Sequence, residues 1–247
     1  MAQGMDLPQL PPDSIVQALP SALPAGGTFD LRSMTEDPQQ VSLGLKLLAL
    51  LTVLAMVPSF LMMVTSFTRI VVVLSFVRRA MGVNEVPPTP VILGLALFLT
   101  FFVMAPVLTE INEIALQPYL NEEIGPGEAL GQAEGPLREF MMEQTRRRDL
   151  ALFVRLSRID PPATPEDVPF HVLVPAFMIS ELKTAFTIGF MIYIPFLVID
   201  MVVSSILLSM GMLMLPPILI SLPFKVILFV LVDGWNLIIG SLIAGYM

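Results

Sequence analysis

Cysteine is absent from this 247-residue chain, and histidine occurs once, at His171. Without cysteine there are no disulfides, thiolate metal sites or cysteine nucleophiles. A single imidazole does not make a zinc site, so we expect a structural or tolerated role for His171. The chain also lacks the GxxxxGK[ST], HExxH and GxSxG patterns of phosphate-binding loops, zinc proteases and serine hydrolases. These absences predict a protein that is not an enzyme and has no catalytic residue, metal or cofactor.

Charged side chains are scarce as well. They make up 14% of the residues, against about a quarter in ordinary soluble domains, while 55% of the residues are hydrophobic. The net charge of −8 comes from dispersed acids, and the chain has no basic stripe that would suit nucleic acid. Most of the surface is therefore not meant for water, and we expect no nucleic-acid partner.

The hydrophobic residues are concentrated in four stretches, each long enough for the ~20 residues that a helix needs to cross a bilayer. These stretches are Leu47–Thr68, Val91–Thr109, Thr184–Leu215 and Ile218–Met247. Hydropathy alone thus predicts four membrane helices. The connection 69–90 carries Arg69, Arg78 and Arg79 against Glu85, so the positive-inside rule places it in the cytoplasm. The N-terminal arm and the insert before Thr184 are then expected outside.

The apolar stretches divide the chain into four parts. Residues 1–42 are predicted to be an extended or disordered arm, 43–109 a first apolar hairpin, 110–183 a helical insert on the periplasmic side, and 184–247 a second apolar hairpin with a methionine-rich loop. The start, MAQGMDLPQLPPDS, has neither the basic residues nor the apolar core of a secretory signal. Either a signal has been removed or targeting relies on the first hydrophobic helix.

The insert has a mixed charge and a helical pattern. Apolar side chains recur at helical intervals over residues 137–158, which predicts an amphipathic helix there. The preceding GPGEALG, residues 125–131, is predicted to be a loop. The three arginines at 146–148 are interpreted as a solvated face or an intersubunit salt-bridge surface, and a specific anion site is the alternative.

Two charges, Asp200 and Lys225, lie inside the last two apolar stretches, whereas Asp233, just before Gly234, could lie near a helix end. An ionised side chain costs about 2.5–3.5 kcal/mol at the middle of a bilayer, so each of them needs an explanation. Counted from the turn between the stretches, the two residues differ in depth by one to two helical turns, which a long lysine partly covers. A buried charge pair, within one hairpin or between subunits, is one interpretation. A proton- or sodium-coupling carboxylate at Asp200 is the alternative.

Three methionines, Met210, Met212 and Met214, alternate around Gly211 directly before a Pro-Pro pair. Methionine is unbranched and flexible, so it fills irregular space, and core filling is the simpler interpretation. The glycine and the prolines, however, predict a loop. Exposed apolar loop residues usually form a contact surface. Repeated around a symmetry axis, this loop would form a soft ring that closes on itself and opens around a variable chain.

Five stretches of the sequence match a known family: MMVTSFTRIVVVLSFVRRAMG (62–82), LGLALFLTFFVMAPV (93–107), PLREFMMEQTRRRDLALF (136–153), SELKTAFTIGFMIYIPFLVIDMVVSSILLSMGMLMLPP (180–217) and LPFKVILFVLVDGWNLIIGSL (222–242). Through these stretches the chain resembles the FliP/SctR family of type III secretion export-gate subunits. They cover most of the chain after residue 42. Their order and spacing fit the family.

The resemblance implies an all-α, non-enzymatic subunit built of kinked apolar helical hairpins and assembled into a ring-like helical export gate. The implied partners are FliQ and FliR in the gate core, FlhB on the cytoplasmic side, and FliO as an assembly factor, with five-fold self-association. Unfolded flagellar proteins would pass through the channel at the flagellar basal body of the bacterial inner membrane. Met210, Met212 and Met214 would line a pore gasket, and Asp200 and Lys225 would form the family's buried charge pair.

The resemblance also changes the expected topology, because family subunits are held largely at the periplasmic side and do not simply cross the bilayer four times. Two departures from the family pattern concern Leu213, which interrupts the methionines, and PPTP at 87–90, where the family often has a PPNQ-like stretch. Two other interpretations stay open. One is a multi-helix secondary transporter with Asp200 as the coupling carboxylate, and the other is a scaffold whose channel is formed by other subunits.

Overall fold

The computed structural model describes residues 38–83, 86–159, 162, 164, 167–212 and 214–246. Within these ranges the chain is helical and contains no strand. The helices are α1 (Pro38–Val64), α2 (Phe67–Ala80), α3 (Thr89–Ile111), α4 (Gln117–Leu120), α5 (Pro126–Gln144), α6 (Arg147–Ser157), α7 (Phe170–Ser209), α8 (Pro217–Leu231) and α9 (Gly234–Ala244), with a π-helical turn at Asn112–Leu116 between α3 and α4. The all-α class predicted from the sequence is confirmed.

The chain divides into two units, residues 1–55 and 56–247. In the first unit the described residues belong to α1, and its side chains are exposed from Leu45 to Leu54. Residues 1–37 of the predicted arm lie outside the described residues, whereas 38–42 belong to α1. The second unit contains the remaining helices and the buried clusters described below.

The contact between α2 and α7 organises the second unit. Residues of α2 at helical spacing are buried, namely Phe67, Ile70, Val73, Leu74, Val77 and Ala80. Val73, Val77 and Ala80 join a cluster with Ala185 and Phe196 of α7, while Ile70 and Leu74 face Ile92 and Ala96 of α3. Helix α2 therefore lies between α7 and α3, with an apolar surface toward each.

Close approach of α2 to α7 requires a glycine at position 189. A Cβ atom on Gly189 would lie 2.5 Å from the Cγ and Cδ2 atoms of Phe76 and 3.0 Å from its Cβ. These are atoms at the base of the ring, so a change of rotamer at the far end of a side chain does not relieve the overlap. The Phe76 ring also makes an edge contact with Phe186 at 5.4 Å. Gly189 thus sets how closely the two helices pack.

The connection predicted over residues 69–90 differs from the structure, because most of it is helix α2. The arginines of this segment predicted a loop on the cytoplasmic side of the membrane. Arg69, however, is buried against Glu181, and Arg78 donates to the Thr89 Oγ1 atom at 3.0 Å. Between them the apolar residues have helical spacing and pack on two sides. The predicted first hairpin, residues 43–109, therefore contains most of α1, all of α2 and nearly all of α3.

The insert also differs in detail from its prediction. The single helix expected over 137–158 is broken at Thr145 and Arg146, whose backbone is extended, into α5 and α6. GPGEALG is not a loop, since α5 begins at Pro126, and a proline is well suited to the first position of a helix. The break lets the N–H of Arg146 donate to the Ser180 Oγ atom of α7 at 2.7 Å.

Among the described residues, three helical segments are long and apolar enough to cross a membrane: Gly44–Val64, Thr89–Leu120 and Phe170–Ser209. A fourth span arises if α8 and α9, which are bent by 62°, count as one. The bend occurs at Asp233, whose φ is 51°, and at Gly234, where a Cβ would lie 2.4 Å from the Phe229 ring. The four apolar stretches of the sequence correspond to these segments.

Adding one methyl group at position 189 tests the helix contact. Alanine favours a helix over glycine by about 1 kcal/mol, but overpacking a tight contact costs about 1–3 kcal/mol. We expect Gly189→Ala to melt at a lower temperature than Gly94→Ala, whose Cβ would meet nothing within 4 Å. Thermal unfolding in detergent, followed by the fluorescence of Trp235, measures the difference. Equal melting temperatures would show that Phe76 moves aside and that the contact is not tight.

Candidate functional site

The methionine segment lies between α7 and α8, and hydrogen bonds fix the backbone where it begins. The N–H of Gly211 donates to the Leu208 carbonyl, and the N–H of Met212 to the Leu207 carbonyl, both at 3.0 Å. Gly211 has a φ of 76°, a conformation that side chains other than glycine rarely adopt. This is the Schellman motif that ends many helices. Pro217 then starts α8 at a position where its missing N–H costs nothing.

The methionine side chains point away from this backbone turn into the surroundings. Met210 is 65% exposed and Met214 is 99% exposed, while Met212 is half-buried. Leu213, the residue that interrupts the methionines, lies outside the described residues. Most of the surface of Met210 and Met214 is therefore not covered by the described part of the chain.

Asp200 and Lys225 are brought together by the α7–α8 hairpin. The Lys225 Nζ atom donates to the Asp200 Oδ2 atom at 2.6 Å, and the Ser221 hydroxyl donates to Oδ1 at 2.6 Å. Lys225 also donates to the Ala80 carbonyl at the end of α2, at 3.2 Å. The Lys225 side chain is 3% exposed and the Asp200 side chain 25% exposed. The pair thus joins α2, α7 and α8.

The two predicted features are separate along the hairpin. Asp200 lies ten residues before Met210, which is about 15 Å along α7 at 1.5 Å per residue. The charge pair therefore does not touch the methionine segment. Its position suits holding the two legs of the hairpin together while the tip stays exposed.

A second buried ion pair was missed by the sequence analysis. Arg69 of α2 binds the Glu181 carboxylate of α7 through two nitrogens, with Nε to Oε2 at 2.9 Å. The Arg69 side chain is 5% exposed and the Glu181 side chain is fully buried. Arg69 offered a signal, because it follows the uncharged run Leu47–Thr68, whereas Glu181 has Lys183 two residues away. The rule that singled out Asp200 and Lys225 applies to Arg69, but the sequence did not mark Glu181 in the same way.

Residues after α9 complete this second pair. The Tyr246 hydroxyl donates to Glu181 Oε2 at 2.8 Å, and the Tyr246 ring centroid lies 3.9 Å from the guanidinium carbon of Arg69. Arg69 also donates to the Gly245 carbonyl and to the Gln144 side chain, both at 3.2 Å. Burial raises the pKa of Tyr246, and the neighbouring carboxylate adds to the shift, so the hydroxyl stays a donor. The cluster joins α2, α5 and α7 to the end of α9.

A third polar cluster fastens α6 to α7. Asp149 is buried and accepts hydrogen bonds from the Lys183 ammonium group and, at 3.0 Å, from the Ser180 hydroxyl. The hydrogen bond from Lys183 lowers the pKa of Asp149 below its usual value, although desolvation works in the opposite direction. Asp149 is therefore ionised at neutral pH. This pair sets the position of the start of α6 along α7.

The described polar groups are thus used to hold helices together. Within the described residues no group of three acidic or histidine side chains is arranged to bind a metal ion. Large apolar side chains remain exposed along α1, α3, α7 and α8. An apolar exterior of this extent marks contacts with lipid or with other proteins. The architecture is that of an all-α membrane protein with buried ion pairs between its helices.

Comparison with known proteins identifies the family. The model of the FliP family matches residues 50–242. The flagellar biosynthetic protein FliP of Bacillus subtilis (strain 168) is 57% identical over 212 residues, which cover 86% of this chain and 96% of that protein. Proteins of the same name from Caulobacter vibrioides and Aquifex aeolicus are 55% and 52% identical, over 81% and 82% of this chain and 76% and 85% of their own lengths. This chain belongs to the FliP family.

The buried pair of Arg69 and Glu181 can be tested by removing one charge. Glu181→Gln keeps the size of the side chain but leaves the Arg69 guanidinium buried without a counter-charge, which costs about 3–5 kcal/mol. We expect a large fall in the melting temperature in detergent. The matched control is Glu134→Gln, whose partner Arg138 lies one turn away on the same helix and whose side chain is 43% exposed. Equal effects of the two substitutions would contradict a structural role for the buried pair.

Proposed function

We propose that this chain is a core subunit of the flagellar type III protein export gate, acting in transport and not as an enzyme. Membership of the FliP family and relatives named flagellar biosynthetic proteins support a part in flagellar assembly. The apolar helices support a place in the membrane. The exported substrates are unfolded flagellar proteins, which pass through a channel that the subunit helps to form at the basal body.

The observation that carries the proposal is the exposed methionine tip of the α7–α8 hairpin. Its backbone is fixed at Gly211, whereas Met210 and Met214 extend from it with little contact in the described chain. A ring of such tips combines a rigid frame with flexible, apolar, polarizable side chains. These side chains can fill the opening when the gate is idle. They can also yield around polypeptides of different sequence, which branched leucine side chains do less readily.

The exposed apolar surface supports assembly with further copies and partners. Soluble monomers rarely leave so much contiguous apolar surface uncovered. We propose that other copies, five-fold in arrangement, and the FliQ and FliR subunits cover part of it, with FlhB on the cytoplasmic side and FliO assisting assembly. In this arrangement the gate lies largely at the periplasmic side of the bacterial inner membrane. Such packing also explains why a helix that hydropathy identifies as apolar can contact other subunits instead of lipid.

The surroundings of Asp200 support a structural pair in preference to an ion-coupling site. Both of its carboxylate oxygens accept hydrogen bonds at 2.6 Å, one from Ser221 and one from Lys225. A coupling carboxylate has to bind and release its ion, whereas this one is occupied on both sides. One observation favours the transporter alternative, namely that the Asp200 side chain keeps 25% of its surface exposed within an apolar helix. The two functions therefore need a direct test.

Replacing the three methionines tests the gasket. Alanine removes the long side chains, so an idle ring of Met210→Ala, Met212→Ala, Met214→Ala tips is expected to leak small ions. Gate complexes purified with FliQ and FliR and reconstituted into liposomes allow the ion flux to be measured. The matched control replaces three exposed methionines of α1, Met56, Met62 and Met63, by alanine.

We expect wild-type and control complexes to be equally tight and the triple variant of the tip to conduct. Unchanged flux through a triple variant that assembles to its normal mass would refute the gasket. That result would favour a scaffold whose channel is closed by other subunits.

Asp200→Asn separates the gate from the transporter. Removing the carboxylate charge leaves Lys225 buried without a counter-charge, which destabilises the joint of α2, α7 and α8. We expect Asp200→Asn, and likewise Lys225→Met, to reduce the native mass of the assembly co-expressed with its partners. Asp233→Asn is the control, since this exposed carboxylate at the start of α9 accepts a side-chain hydrogen bond only from Asn236 among the described residues. Normal assembly combined with abolished transport would instead identify Asp200 as a coupling carboxylate.

A further inference from the structure

Three consecutive arginines, Arg146, Arg147 and Arg148, are exposed at the joint between α5 and α6. None of their guanidinium groups forms an ion pair with a residue that the structure describes. Their nearest acidic neighbour on α6 is Asp149, whose charge is balanced by Lys183. Arg146 also interacts electrostatically with Asp149 and Glu181, so its charge is balanced in part. The joint therefore presents exposed positive charge, carried mainly by Arg147 and Arg148, in a chain whose net charge is −8.

The arginines are held at a defined level along α7. The main-chain N–H of Arg146 donates to the Ser180 hydroxyl at 2.7 Å, and the Arg146 Nη2 atom donates to the Thr184 hydroxyl at 3.0 Å. Asp149 accepts from Ser180 and Lys183 at the same level. These contacts fasten the joint between residues 180 and 184 of α7, so the positive charges do not belong to a free loop.

The surface of α7 changes character just beyond this level. Before it, Val172, Leu173, Ala176 and Phe177 are buried by the neighbouring helices. Beyond it, the side chains of Phe186, Phe190 and Met191 are each more than half exposed. From Thr184 to Met191 is seven residues, about 10 Å along the helix. A cluster of cations thus adjoins the start of an exposed apolar surface.

We propose that the joint between α5 and α6 binds anionic phospholipid. The headgroup phosphate lies at Arg146, Arg147 and Arg148, and an acyl chain lies along α7. Basic clusters beside membrane-embedded helices bind anionic headgroups, and guanidinium groups form paired hydrogen bonds with phosphate. A free phosphate ion would satisfy the charges but leave the apolar surface uncovered. A lipid satisfies both. The binding is independent of the export function proposed above.

The absence of cysteine allows a probe to be placed beside the site. A single cysteine at the exposed Thr187, one turn beyond Thr184, can carry an environment-sensitive fluorophore. The labelled full chain is titrated in detergent with phosphatidylglycerol or phosphatidylcholine whose acyl chains are brominated and quench the probe on contact. We expect phosphatidylglycerol to quench at a roughly 100-fold lower concentration, because each arginine near an anionic surface contributes about fivefold.

The charges are then removed by Arg146→Gln, Arg147→Gln and Arg148→Gln together. We expect the preference for phosphatidylglycerol to disappear. The control neutralises three exposed cations elsewhere, Lys46, Arg79 and Arg155, and reaches the same net charge with the preference intact. A preference that survives in the arginine variant, or that falls equally in the control, would overturn the proposal.

Two further measurements keep the test decisive. If the triple variant fails to fold, Arg147→Gln alone is used, because the Arg147 side chain makes no hydrogen bond with the described residues. The preference for phosphatidylglycerol should then fall several-fold and weaken with added salt.

In the second measurement, inorganic phosphate is added at constant ionic strength, with chloride as the comparison. Complete loss of the preference at millimolar phosphate would identify a free-anion site. Equal quenching by the two lipids in the chain that keeps all three arginines would indicate that the arginines bind an acidic partner protein instead. Either of these two results would refute lipid binding.

Discussion

A carboxylate inside an apolar helix has to be paired, and α7 carries two of them. Glu181 is paired with Arg69 of α2, and Asp200 is paired with Lys225 of α8. Each pair fixes one neighbouring helix at one level of α7, and Lys225 adds the end of α2 through the Ala80 carbonyl. Breaking either pair leaves a buried charge, so the positions of three helices depend on these contacts. The apolar packing around Gly189 and the two ion pairs thus fix the same helices together.

The apolar exterior has a different consequence. Hydropathy records that a side chain avoids water, but lipid and protein satisfy this requirement equally well. Helix α7 illustrates the distinction, since its first half is covered by α2, α5 and α6, while its second half from Phe186 onward is largely exposed. The same apolar pattern therefore serves two kinds of contact along one helix. Where the change falls, a row of arginines marks the boundary.

The hairpin tip combines two properties that usually exclude each other. Its backbone is ordered by the paired hydrogen bonds around Gly211 and by the prolines that begin α8. Its side chains are among the most flexible that proteins use, and in the described chain they are almost unsupported. This combination of a fixed backbone and flexible side chains suits the gasket proposed above. The nearby charge pair strengthens the frame without touching the methionines.

Several features followed from the sequence by itself. Low charge and apolar stretches of about 20 residues predict a helical membrane-type protein, because a helix satisfies its backbone hydrogen bonds within its own segment. Gly211 and the Pro-Pro pair predict a turn, because glycine readily adopts the positive φ that ends a helix and proline suits the first position of the next one. The charges Asp200 and Lys225 needed an explanation, and their spacing around the turn allowed a pair, while a coupling carboxylate at Asp200 stayed open as the alternative.

Other features were decided only by the tertiary structure. Arg69 and Glu181 are 112 residues apart, so no local pattern relates them. The sequence predicted a loop at Arg69, whereas the structure places it on α2, against α7. The break of the insert helix at Thr145 depends on Ser180, which accepts the freed Arg146 N–H from another helix. Periodicity specifies which face of a helix is apolar. It does not specify which helix covers that face or at what level, because these depend on long-range contacts that form only when the chain has folded.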